Sequence, residues 1–434
     1  MRRAIYASHL IDGTDRPVQD DPVLVLDGTR LLEVTSRDAW RRRALLEPVE
    51  ELEYPGATLT PGLIDGHVHL SLSGADLADD LLAEYMDGDT VRLVALATEN
   101  ARRCLASGVT TVRDCGGPGT TITALRDAIA AGVTVGPRIL SAGMPITTTG
   151  GHCHFFGLCA DNEAEVRTAV RSLVEDDVDF IKVMATGGRL TPNSAMLGAQ
   201  YTRAELAAIV EEATRLNRPV AAHVLSSEGI RRCLDAGVRT LEHCMWHDAN
   251  GHYVIDDEAL ERIRLNGTFV SLTIVGTMRN AWRAFRNDPN GSALDATLAT
   301  RFAAEAEMIR RGVAYFITSD AGVPACRFDE FALSLAVAVD WLGLTPLQAI
   351  TAATSKAARA LGIDDAVGTL EAGKVADVVV VEGDPSQDVL ALRDVRSVFQ
   401  GGRLQVDDGR VATAPSQPRY DRPAPTIRRS RHAR

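Results

Sequence analysis

From Leu63 to Asp320 the chain repeats one pattern: short apolar runs alternate with stretches of helical hydrophobic period. The runs fall at residues 63–70, 110–114, 138–142, 180–184, 220–224, 240–243, 268–272 and 314–320. Amphipathic helices are predicted near 91–106, 122–131, 163–175, 203–216, 228–236, 258–265 and 302–310. Apolar runs without alternation belong to strands buried on both faces, and strands separated by helices pair in parallel. Eight such units point to an α/β protein with a closed (β/α)8 barrel, whose chemistry collects at the C-terminal strand ends. An open, doubly wound sheet is the alternative, and it offers no reason for eight regular repeats.

The flanks read differently. Residues 4–11, 23–26 and 31–34 are strand-like, broken by Asp12-Gly13 and Asp27-Gly28, with one helix expected near 40–46. Beyond Asp320 helices are expected at 331–342, 346–353 and 356–361. Then come turns at 367–377 and strands at 378–381 and 395–398. The two chain ends are expected to pair in one small β-sandwich, built from residues 1–60 and 363–413 around a barrel at 61–362. The remaining segment, 414–434, is rich in Pro and Arg and is expected to be a disordered basic tail.

Composition narrows the class. With 434 residues, 45% hydrophobic and 24% charged, the chain suits a large globular domain plus a smaller one. A net charge of −12 argues against a nucleic-acid partner, which calls for a basic footprint. The 7 cysteines are scattered without paired spacing, which suits free thiols in a reducing compartment. No apolar run reaches bilayer length and no leader pattern opens the chain, so a cytoplasmic protein with no membrane partner is expected.

The polar residues at the strand ends carry the chemistry. His67 and His69 alternate along one strand and so face the same way. Strand four carries Lys182, strand five His223, strand six His243 and strand eight Asp320. A barrel brings all six to one mouth, and four imidazoles, a lysine and a carboxylate are a two-metal inventory. Lys182 lies within Phe180-Ile181-Lys182-Val183-Met184, where a free ammonium is desolvated and faces cations. Both effects disfavour its charged form. A neutral amine can add carbon dioxide, giving a carbamate whose two oxygens bridge a metal pair. Asp320 could ligate a metal, take a proton from water and pass it to a leaving nitrogen.

These stretches resemble the amidohydrolase superfamily. They are Pro61-Gly62-Leu63-Ile64-Asp65-Gly66-His67-Val68-His69, Ile181-Lys182-Val183-Met184-Ala185-Thr186-Gly187-Gly188, Ala222-His223, Glu242-His243, Thr318-Ser319-Asp320 and the turn-rich 367–377. The likeness is to the branch with a metal pair and a carboxylated lysine, and within it to the prolidase and Xaa-Arg carboxypeptidase-like group, often labelled imidazolonepropionase-like. It implies two divalent ions, usually zinc. His67, His69, Lys182 and Asp320 would hold the first, and Lys182, His223 and His243 the second. A bridging hydroxide, deprotonated by Asp320, would attack the carbonyl of a small-molecule amide or peptide. It also implies a homo-oligomer. True imidazolonepropionases use one metal and need no lysine here, so Lys182 argues against that label.

His152, in Gly150-Gly151-His152-Cys153-His154, resembles the residue that polarises the substrate carbonyl. His154, His247 and His252 read as loop or rim residues, and Asp65 and Asp114 as hydrogen-bond supports of the ligands. A substrate carboxylate would call for arginine: Arg231 and Arg232 follow strand five, and Arg279, Arg283 and Arg286 follow strand seven. Peptidase-like relatives often carry a tyrosine after the strand-five histidine. Val224-Leu225-Ser226-Ser227 has none; Tyr201 is a candidate substitute, although packing at a helix entry is the favoured reading of that residue. The expected substrate-binding set is therefore His152, Tyr201 and Arg232. Two rival readings remain: a one-metal deaminase or cyclic-amide hydrolase on the same barrel, and a noncatalytic binding protein that kept the fold.

Overall fold

The computed structural model describes residues 2–42, 48–288 and 294–412. Its central layer is the parallel strand set Leu63–Val68, Val109–Asp114, Arg138–Ser141, Ile181–Met184, Val220–His223, Thr240–Glu242, Phe269–Thr273 and Tyr315–Thr318. Every residue of the first is buried, Asp65 and His67 included, as in a strand covered on both faces. The ladders form two arcs: one joins the first three strands and the other runs from the fourth to the eighth. The short strand Ile146–Thr147 pairs with the fourth strand, where the third would close the wall. Single hydrogen bonds span both gaps. Asp179 N–H donates to Ser141 O at 2.8 Å on one side; Asp320 N–H donates to His67 O at 2.9 Å, and His69 N–H to Ala321 O at 2.7 Å, on the other.

Helices cover the wall, and their ends are set locally. Glu163–Glu175 starts where the Asn162 side chain accepts from Ala164 and Glu165 N–H, and it buries the stripe Val166, Ala169, Val170 and Leu173. Arg203–Arg215 opens on a Thr202–Glu205 capping box. Ser227–Ala236 stops at Gly237, whose φ of 81° is the left-handed cap that glycine favours.

Both chain ends meet in a nine-stranded sheet. Arg2–Leu10 pairs in parallel with the long strand Val49–Pro61, which pairs antiparallel with Val378–Glu382. Ile5, Leu24, Leu59, Val378 and Phe399 form one apolar cluster of this sheet, and Ala4, Tyr6, Val23, Val25 and Trp40 another. Arg138 ties it to the barrel, donating to Asp377 Oδ2 at 2.7 Å and to Thr111 Oγ1 at 2.9 Å. The helix expected at 40–46 is Arg37–Arg41 in the structure, and 43–47 lie outside the described residues. So does 414–434. Among the described residues no helix is long and apolar enough to cross a membrane.

Candidate active site

His67, His69, His223, His243 and Asp320 lie at or just beyond the C-terminal ends of the barrel strands, Lys182 lies within the strand Ile181–Met184, and all six are buried. Five imidazoles stand in an arc in the order His69, His67, His243, His223 and His152. Successive ring centroids are 5.5, 5.0, 4.6 and 4.6 Å apart. Asp320 Oδ1 lies 3.5 Å from both His67 Nε2 and His69 Nε2.

The outer nitrogens of the first two rings are committed. His67 Nδ1 is 2.9 Å from Glu242 Oε2, and His69 Nδ1 is 2.9 Å from the carbonyl of Gly116. A carbonyl only accepts, so His69 carries its proton on Nδ1. A carboxylate partner selects the same tautomer for His67. Both Nε2 lone pairs are then left facing Asp320, ready for a cation.

Backbone strain aims several of these groups. His243 (φ 65°), Cys244 (φ 43°) and Asp320 (φ 57°) are non-glycine residues in the left-handed region, a conformation costing about 1–3 kcal/mol each that concentrates at functional sites. Gly322 follows at φ 106°, where a Cβ would sit 2.3 Å from His69 O. The last strand therefore turns sharply against the first, and glycine permits the approach.

Electrostatics favour ligands over charged side chains. Burial, opposed by the bond to Gly116 and aided by the Lys182 amine, lowers His69 to about 4. Burial and Lys182 hold His152 at about 3. His67, His223 and His243 are lowered well below the ordinary imidazole value, first by burial. All five rings are neutral at pH 7, as metal ligation requires. Burial, with the Asp65 and Glu242 carboxylates and against Lys182, raises Asp320 to about 7.

Two atoms mark the centre of the site. Lys182 Nζ is fully buried and has no hydrogen-bond partner among the described residues, and neither has Asp320 Oδ1. An orphaned lysine nitrogen and an orphaned carboxylate oxygen beside neutral imidazoles fit divalent cations, because these two buried atoms lack the partner that a buried polar group needs. His67, His69 and Asp320 can converge on one ion.

His152 joins the arc: its Nδ1 lies 3.0 Å from Thr191 Oγ1, and its backbone N–H donates to Gln200 Oε1. Asp65 accepts from Ser319 N–H and its hydroxyl, and Asp114 accepts from Leu70 and Gly116 N–H. These two carboxylates brace the strand ends. His154 and His252 are exposed, and His247 is half-buried against Tyr253.

Tyr201 and Arg232 are corrections. The Tyr201 hydroxyl donates to Ala160 O within the apolar core, and Arg232 pairs with Glu228 and donates to Tyr201 O. Both side chains are therefore held by the helix layer. Of the other arginines, Arg231 pairs with Asp256, Arg283 with Glu330 and Arg286 with Asp340, while Arg279 is fully buried, its Nη1 donating to Glu330 O and its Nε and Nη2 without a hydrogen-bond partner among the described residues. The strand pattern gave a direction for none of them.

Glu242 and Arg113 were missed. Arg113 Nη2 donates to Glu242 Oε1 at 2.5 Å, its Nη1 to Thr240 Oγ1 at 3.0 Å and its Nε to Gly66 O at 2.6 Å. The signal was one basic residue in the second strand and one acidic residue in the sixth, which only the barrel makes neighbours.

This fold and site define a barrel hydrolase acting on C–N bonds. The chain belongs to the amidohydrolase family, whose model matches residues 58–405. It is 29% identical to the ochratoxinase of Aspergillus niger, over 92% of this chain and 86% of that protein. It is 27% identical to the imidazolonepropionase of Symbiobacterium thermophilum, over 82% of this chain and 83% of that one. Among solved structures it is similar to a Xaa-Pro dipeptidase with bound methionine in the active site, with a TM-score of 0.79 and 28% identity. That match covers 93% of this chain and 99% of the other.

Proposed function

We propose that the protein is a binuclear metal-dependent amidohydrolase cleaving an amide-type C–N bond in a dipeptide, an N-acyl amino acid, or a carbamate or urea compound. The observation that carries the reading is Lys182 Nζ, fully buried on the fourth barrel strand without a hydrogen-bond partner among the described residues. A bare ammonium is costly there. A carboxylated Lys182, with one negative charge shared by two oxygens, would help hold both ions, the first with His67, His69 and Asp320 and the second with His223 and His243. Zinc suits this nitrogen and oxygen set. Bound divalent ions would supply Lewis acidity toward a carbonyl and acidify water to near neutral pH.

The chain's own groups do the rest. Asp320, within 3.5 Å of two imidazole nitrogens, is placed to take a proton and return it to the leaving nitrogen. His152, neutral and braced by Thr191, is placed to hold the substrate carbonyl. The name of the similar Xaa-Pro dipeptidase supports a dipeptide as substrate class.

The test is turnover of a library of dipeptides and N-acyl amino acids by the metal-loaded enzyme. Lys182→Ala should be inactive and partly rescued by bicarbonate with a short-chain carboxylic acid. An active Lys182→Ala enzyme would overturn the reading. Ammonia release from aminated heterocycles with one ion per chain would replace it with the deaminase.

A further inference from the structure

The barrel interior beneath the proposed metal pair contains a charged assembly that ordinary packing does not need. Glu242 is completely buried, and Arg113 nearly so, on strands 129 residues apart. The carboxylate divides its two oxygens. Oε1 takes Arg113 Nη2 and the Thr240 hydroxyl, and Oε2 faces His67 Nδ1 at 2.9 Å. The guanidinium is itself fixed, spending its other donors on Gly66 O and Thr240 Oγ1 and lying 5.1 Å from the Phe180 ring centroid and 5.6 Å from that of Phe316. Gly66 directly precedes His67, so Arg113 grips the ligand's strand and its carboxylate partner together.

A buried ion pair is poor evidence for stability, because desolvation offsets most of its attraction. Its geometry shows a better use. We infer that Glu242 is a positioning residue for the His67 side of the centre. Clamped by Arg113 and Thr240, it holds the His67 proton on Nδ1 and turns Nε2 toward Asp320. His223 is braced by a neutral group instead: its Nε2 lies 3.1 Å from Gly187 O, and among the described residues no carboxylate hydrogen-bonds it. The two halves of the centre are therefore braced unequally, and Glu242 tunes the ion held by His67 and His69 while leaving its neighbour nearly untouched.

The inference rests on the binuclear reading, and a metal titration separates the two. Metal-free protein is titrated with zinc in competition with a chromophoric chelator, giving two stepwise constants. Glu242→Gln keeps an acceptor for His67 but loses the charge. It should weaken by about 10–100-fold the constant that His69→Ala abolishes, and shift the other by less than about 3-fold. Arg113→Met with Glu242→Gln removes both charges, so no orphan ion remains. The double variant should regain most of the unfolding midpoint that Glu242→Gln loses, without regaining zinc affinity. Unchanged constants in Glu242→Gln, or affinity recovering together with the midpoint, would overturn the inference and leave the function standing. Wild-type protein that takes up no zinc would overturn both.

Discussion

Replacing Lys182 by Met should reverse its effect on stability according to whether metal is present. In the metal-free protein Nζ is buried with no partner, and removing an orphaned polar group recovers about 1–3 kcal/mol, more when it is charged. Met follows the same unbranched path at nearly the same volume, and volume-conserving exchanges in a core cost less than about 1.5 kcal/mol. The variant should therefore match or exceed wild type by up to about 2 kcal/mol in chelator. With metal at a thousandfold excess over its Kd, each bound ion adds about 4 kcal/mol to wild type alone. The order of stabilities then inverts. Denaturant unfolding followed by circular dichroism, with chelator and with excess zinc, reads both states. If Lys182→Met is less stable than wild type in chelator by more than about 1 kcal/mol, the amine has a good partner in the metal-free fold. The argument for its carboxylation then loses its premise.

A Cβ at residue 188 would lie 2.3 Å from His152 Nε2. Gly188→Ala should therefore push the ring aside and lower kcat by about 100-fold with metal content unchanged; wild-type kcat would remove His152 from the reaction. Asp320 is raised to about 7 by burial, above an unfolded value of about 3.9. Its folded state thus binds the proton more tightly, and this contribution, complete below about 4, disappears as pH rises through 7. In chelator, Asp320→Asn should accordingly gain on wild type by up to about 1.4 kcal/mol per pH unit between about 4 and 7. A gap independent of pH, measured by denaturant unfolding, would contradict the shift.

The barrel was legible because its strands are buried on both faces and so read as unbroken apolar runs. Helices with clean caps were read to the residue, as at Glu163–Glu175 behind Asn162 and Phe331–Leu342 before Gly343. Missed elements have weak faces. Ala78–Met86 buries only Leu81 and Tyr85, Gly276–Asn287 buries an arginine, and Val49–Pro61 carries Glu50, Glu51 and Glu53 ahead of Pro55-Gly56. The strand-end histidines, Lys182 and Asp320 stood out because charged or ligating types closed apolar runs. Tyr201 and Arg232 were misplaced because sequence gives proximity to a strand end but not the direction of a side chain. Arg113 and Glu242 are each an unremarked charge in a strand, and they become a pair only when the second strand meets the sixth across the barrel.

The most direct measurement is carbon NMR of the zinc-loaded protein prepared in 13C-bicarbonate. A carbamate carbon should appear in wild type and vanish in Lys182→Ala, with metal analysis of the same samples giving about two ions per chain in wild type only. A fully loaded, active wild-type enzyme with no carbamate signal would show that residue 182 does not bridge the metals.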